Sequence, residues 1–139
     1  MTPDAVALFA TVILLLPMGY FLLAAPAFLL VKLGIPPVAL LLRGMFNAYF
    51  LALAIASVIG TVAFAVAGRP AFAIGIGLIA AFAVSARRWF LRQMDAQLGT
   101  MHAGAADAAR RLHWGGMLCN AIQLVAIVGS IPYITVTPT

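Results

Sequence analysis

The chain has 139 residues, of which 65% are apolar and 8% charged, with eight basic side chains against three acidic ones and a formal charge of +5. That leaves too little polar surface to cover a soluble globule, so a single membrane-embedded domain is expected over residues 1–139. The basic residues fall between long apolar blocks, where they orient the chain and meet lipid head groups, and no nucleic-acid partner is expected.

The first apolar block, residues 5–31, has no basic segment before it and exceeds the apolar length of a signal peptide, so it reads as a retained helix. Pro17 and Pro26 lie inside it, and each removes a backbone donor and favours a kink. Lys32-Leu33-Gly34-Ile35-Pro36-Pro37 ends the block. The second helix opens between Val38 and Arg43, spans 43–67, and stops at the turn signal Gly68-Arg69-Pro70. A third spans 71–89, its pattern continuing as the basic and aromatic Arg87-Arg88-Trp89-Phe90-Leu91-Arg92, an interfacial anchor. Residues 97–109 are small and polar enough for a water-exposed connector or short helix. Arg110 and Arg111 mark re-entry, and the fourth helix spans 112–131, with Pro132 expected to help end it. Each block supplies roughly 18 or more mostly apolar residues, enough at about 1.5 Å per residue for a hydrocarbon core near 30 Å.

Four crossings give an all-α, antiparallel up-down bundle of transmembrane helices, with loops at about 32–42 and 90–111. Those loops and their margins hold Lys32, Arg43, Arg87, Arg88, Arg92, Arg110 and Arg111, against Arg69 alone on the other face. Under the positive-inside rule the two loops are cytoplasmic and both termini outside, as expected of a multi-pass protein of a bacterial inner membrane. Helix-packing faces are expected from Ala52, Ala56 and Gly60 on the second helix and Ala73, Gly77, Ala81 and Ser85 on the third. Small residues at four-residue spacing let helix backbones approach, although alanine is also simply abundant here.

No Asp, Glu or Lys lies in the central part of any expected span, which disfavours an ion-coupled transporter or pump. Paired carboxylates, a Ser-His-Asp set and a phosphate-cradling glycine loop are missing as well, so no catalytic residue is assigned. The polar residues gather towards the basic end. Arg43 and Asn47 are one turn apart, and His113, Met117 and Asn120 run down one face, with Gln123 three residues on. Two readings stand side by side. In one, these six residues form a polar pocket in which Arg43 holds an anionic group and His113 supplies a proton, hydrogen bond or ligand. In the other, Asn47, Asn120 and Gln123 bond across the bundle, and Arg43 and His113 reach the head groups. No metal or cofactor is assigned. A haem or copper alternative would rest on His113 and Met117, since Cys119, the single cysteine, points about 160° away from Met117 and His102 is in a loop.

Met18-Gly19-Tyr20-Phe21 with Ala25-Pro26-Ala27-Phe28, then Arg43-Gly44-Met45-Phe46-Asn47-Ala48-Tyr49-Phe50, then Arg110-Arg111-Leu112-His113 with Asn120 and Gln123 form an ordered set. It resembles a family of small four-helix bacterial membrane proteins of unknown function, related to a eukaryotic transmembrane protein associated with platinum-drug resistance. Gly19, Pro26, Phe46, Tyr49, His113 and Asn120 match that pattern, while Trp114-Gly115-Gly116 departs from its polar stretch after the histidine. A small-membrane-protein family associated with oxygenase-like activities is similar through Trp114 and Asn120 alone. The resemblance implies the four-helix fold and, by analogy, a part in small-molecule or metal tolerance. The residues themselves lead to a non-enzymatic membrane protein among lipids, either a homo-oligomer or an accessory subunit of a larger membrane complex. The alternative is a membrane enzyme or a cofactor- or lipid-binding protein acting on a lipid-soluble ligand.

Overall fold

A computed structural model describes residues 3–31, 35–99 and 104–135, so Lys32 and His102 lie outside the described residues. Four helices follow one another: α1 Pro3–Ala24, continued by a 3-10 turn Ala25–Leu29, then α2 Pro36–Val66, α3 Pro70–Leu98 and α4 Ala105–Thr135. All four carry windows long and apolar enough to cross a membrane: Asp4–Leu29, Pro36–Val66, Pro70–Gln97 and Ala106–Ile134. The chain is thus an all-α bundle with the character of a small multi-pass membrane protein.

The breaks follow from local chemistry. Pro26 cannot donate to the carbonyl four residues back, and the α-helix tightens there into the 3-10 turn rather than running on to residue 31. Pro36 and Pro37 do not interrupt α2 but start it, because a first-turn residue needs no intrahelical N–H bond; α2 therefore begins seven residues before 43. The α2–α3 turn is a Schellman closure. Gly68 takes φ +71°, its N–H donates to the Ala65 carbonyl at 3.1 Å, and the Arg69 N–H donates to Phe64 at 2.9 Å. α3 runs on through the arginine segment to Leu98, and α4 passes Pro132 to reach Thr135. The basic connector is therefore largely helical.

Burial follows alternating steps of four and three residues. On α1 the buried row runs Ala7, Thr11, Leu14, Met18 and Phe21, with Ala10 beside it, and Ala25 of the 3-10 turn continues it. On α2 they run Ala39, Leu42, Phe46, Tyr49, Leu53, Ala56, Gly60 and Ala63, with Phe50, Ser57 and Phe64 as a second row. His113, Gly116 and Asn120 continue the pattern on α4. A mean step of about 3.5 residues keeps one seam facing its neighbours along a left-handed bundle. α2 is the most buried helix and packs most extensively on α3, then on α1; α1 meets α4, and the α3–α4 contact is the thinnest of these four.

The centre of the bundle is aromatic. The Phe21 and Tyr49 rings stack with centroids 4.2 Å apart, and Phe46 stacks on Phe90 at 4.8 Å. Gly116 makes this possible: a Cβ there would lie 2.6 Å from Phe46 Cε1, so any larger residue would push the ring out of the stack.

Candidate functional site

Polar bonds between helices fall in three layers along the bundle. At one end Arg69, just past the α2–α3 turn, places Nη2 2.8 Å from Asp4 Oδ1 and donates from Nη1 to the Tyr133 carbonyl at 3.3 Å. This single guanidinium ties the start of α1 to the end of α4. Toward the other end, Tyr49 donates its hydroxyl to Asn120 Oδ1 at 2.8 Å, and Asn120 Nδ2 donates to the Met18 carbonyl at 3.1 Å. Two turns earlier on the same face of α4, fully buried His113 places Nε2 2.8 Å from the Ala25 carbonyl. A carbonyl only accepts, so Nε2 carries the hydrogen.

The third layer joins α2 to α3. Arg43 makes a forked pair with Asp95, Nε to Oδ1 at 2.6 Å and Nη2 to Oδ2 at 3.0 Å, while Arg87 Nε donates to Asn47 Oδ1 at 2.9 Å. The Arg43–Asp95 pair is half-exposed, with 34% and 53% of the side chains accessible, so its geometry locates the helices more than it stabilises them. Burial sharpens the Tyr49–Asn120–Met18 and His113–Ala25 contacts. An interhelical side-chain bond in a membrane protein contributes about 0.6 kcal/mol on average, while orphaning one buried partner costs about 1–3 kcal/mol.

The six candidate pocket residues thus divide between two places. His113 and Asn120 meet α1 and Tyr49 in the core, whereas Arg43 and Asn47 turn to α3 and bond Asp95 and Arg87. Met117 packs half-buried against the core, and Gln123 is half-buried with no partner for Oε1 among the described residues. Of the expected packing residues, Ala56, Gly60 and Ala73 are buried and Gly77 is half-buried. Gly60 lies against Ile76 and Gly77 against Thr61, on the extensive α2–α3 contact. Ala52, Ala81 and Ser85 are exposed. A step of four residues drifts about 40° around a helix, so a strict four-residue stripe leaves the seam within three steps.

Sequence reasoning missed Tyr49 as a polar partner, Asp95 and Arg87 as the mates of Arg43 and Asn47, and the Asp4–Arg69–Tyr133 clasp. Tyr49 could have been found from its register, since it lies seven residues from both Leu42 and Ala56 in the buried row. Among the described residues no group of three or more His, Cys, Asp or Glu side chains could hold a metal ion.

Charge is distributed unevenly along the bundle. The Asp4–Arg69 pair balances one end, while Arg43, Arg87, Arg88, Arg92, Arg110 and Arg111 gather at the other with Asp95 and Asp107. About 30 Å of helix separates Asp4 from Ala25, and Arg69 from Arg87, close to the thickness of a hydrocarbon core. Half-exposed Trp89 and Trp114 sit near the inner edge of the basic end, the level at which indole rings favour a membrane interface.

No family profile, curated protein or solved structure matches the chain. The likeness to small four-helix membrane proteins holds at the level of architecture, four long apolar helices in a short chain, and identifies no family.

Proposed function

We propose that this protein is a non-enzymatic membrane component, a homo-oligomer or an accessory subunit that packs on a larger membrane complex. The observation that carries this reading is the use of the polar side chains. Arg43, Asn47, Tyr49, Arg69, Arg87, His113 and Asn120 each bond a neighbouring helix, which makes them struts of the bundle rather than the lining of a reaction site. Support for a packing role comes from α3 and α4, the least buried helices. On α4 the outward residues include Gly115, Cys119, Ala126 and Gly129, and a Cβ at either glycine would meet nothing within 4 Å. Small outward residues permit close approach by another helix in lipid, where apolar area alone provides little drive.

In the same reading the basic end is cytoplasmic, the Asp4–Arg69–Tyr133 end faces outward, and the membrane is a bacterial inner membrane. The support for this orientation is the count of basic residues, with Arg43, Arg87, Arg88, Arg92, Arg110 and Arg111 at one end against Arg69 at the other. Chemical cross-linking through Cys119 in native membranes tests the packing role. A cross-linked dimer or a discrete adduct with one membrane protein is expected. Cys119 that reacts freely with a membrane-permeant maleimide yet never cross-links would remove α4 from the interface.

A further inference from the structure

The strut role accounts for only one nitrogen of His113. Its Nε2 hydrogen is engaged by Ala25, which leaves Nδ1 of the neutral ring a bare acceptor, and that atom is buried with no partner among the described residues. An unpaired acceptor in an aromatic surround costs about 1–3 kcal/mol, so a hydrogen-bond donor supplied from outside the chain would be favoured there.

The neighbourhood offers a route. The His113 ring meets Phe46 edge-on, with centroids 5.8 Å apart, and Phe28 at 6.2 Å. Phe28 belongs to the 3-10 turn and also lines an open groove of about 420 Å³ between the end of α1 and the start of α2, together with Tyr20, Leu40, Leu41 and Met45. That volume lies within the range of small-molecule sites, roughly 300–1,000 Å³. Ala24, another wall of the groove, directly precedes Ala25, whose carbonyl holds Nε2. One ring therefore contacts both the groove and the orphaned histidine. It is carried on a turn whose hydrogen bonds are weaker than those of an α-helix.

We propose that this groove binds a lipid-soluble alcohol, whose tail lies along Tyr20, Leu40 and Leu41 and whose hydroxyl, once Phe28 rotates aside, donates to His113 Nδ1. The hydroxyl is specified by the chemistry. A neutral ring nitrogen with only a lone pair accepts from an O–H but offers nothing to an ether, an alkane or an ionised phosphate or carboxylate, which carry no donor. The apolar groove walls favour an uncharged chain.

The test uses the full chain in nanodiscs, with a diazirine-bearing long-chain alcohol and its methyl ether as matched photoprobes. The alcohol is expected to label the groove segments around Tyr20–Phe28 and Leu40–Met45 at least fivefold more than the ether. His113→Phe should erase that preference, and Leu41→Trp should reduce labelling by both probes. Where His113→Phe fails to fold, a chain that keeps His113 carries the test. The chain has two histidines, so after His102→Gln the 15N signal of His113 Nδ1 is unambiguous. It should start in the range of a free acceptor and move upfield when the alcohol, but not the ether, is added. Equal labelling by both probes, or an Nδ1 signal already hydrogen-bonded and indifferent to the alcohol, overturns the proposal. Neither outcome touches the packing role of α4, which the Cys119 cross-link reads separately.

Discussion

Replacing Tyr49 by Phe and Asn120 by Leu, singly and together, measures whether the core bonds act as struts. Tyr49→Phe keeps the ring stacked on Phe21 but leaves buried Asn120 Oδ1 without its donor, a cost of about 1–2 kcal/mol. Asn120→Leu is close in volume and removes both interhelical bonds, orphaning the Tyr49 hydroxyl. The Met18 carbonyl lies within α1 and keeps its helical donor, so this cost is also about 1–3 kcal/mol. In the double variant both partners are apolar and nothing is orphaned, so the combined loss should fall short of the sum by about 0.6–1.7 kcal/mol, the range of interhelical bonds in membranes. Helicity followed through a titration with sodium dodecyl sulfate in mixed micelles gives the four stabilities. Losses that add to within about 0.3–0.5 kcal/mol would show the two residues to be uncoupled and would refute the strut argument for this layer.

Gly116→Ala should destabilise the bundle by about 1–3 kcal/mol through its clash with Phe46, and adding Phe46→Leu should recover most of that loss in the same titration. Gly68→Ala forces a side chain into left-handed backbone and should cost about 1–2 kcal/mol, with no change in oligomeric state by light scattering. Arg69→Gln should destabilise more than Arg43→Gln, because Arg69 is only 11% exposed and bonds two chain ends, whereas the half-exposed Arg43 pair should weaken further with added salt. Moving the single cysteine to the basic end, as Cys119→Ala with Arg92→Cys, should give a thiol that an impermeant maleimide reaches only from the cytoplasmic face. Labelling from outside intact cells would invert the proposed orientation.

The four helices were legible because each apolar run is long enough to span a bilayer, a signal that needs no knowledge of neighbours. Their seams were not. In a soluble bundle the buried face stands out against polar residues, but here outward Leu16 and Leu23 are as apolar as buried Leu14, so the alternation of three and four is invisible until burial is known. Proline does not act here as the terminator the sequence suggests: Pro36 and Pro37 open α2, and α4 runs through Pro132 to Thr135. Polar residues on one face of a helix were recognisable from spacing, as with His113 and Asn120. Which helix each would meet depended on packing. Arg43 and His113 lie toward the same end of the bundle, but Arg43 found Asp95 on α3, while His113 and Phe46 packed into the aromatic core. No helical wheel contains that choice.

The packing role is tested most directly by mass. Extraction of the unmodified protein with its surrounding lipid into polymer-bounded native discs, followed by native mass spectrometry, is expected to release either an integer multiple of the 14.6 kDa chain or the chain with one stoichiometric membrane partner. A chain that emerges only as a monomer, with no co-purifying protein and with lipid alone covering α3 and α4, would contradict it.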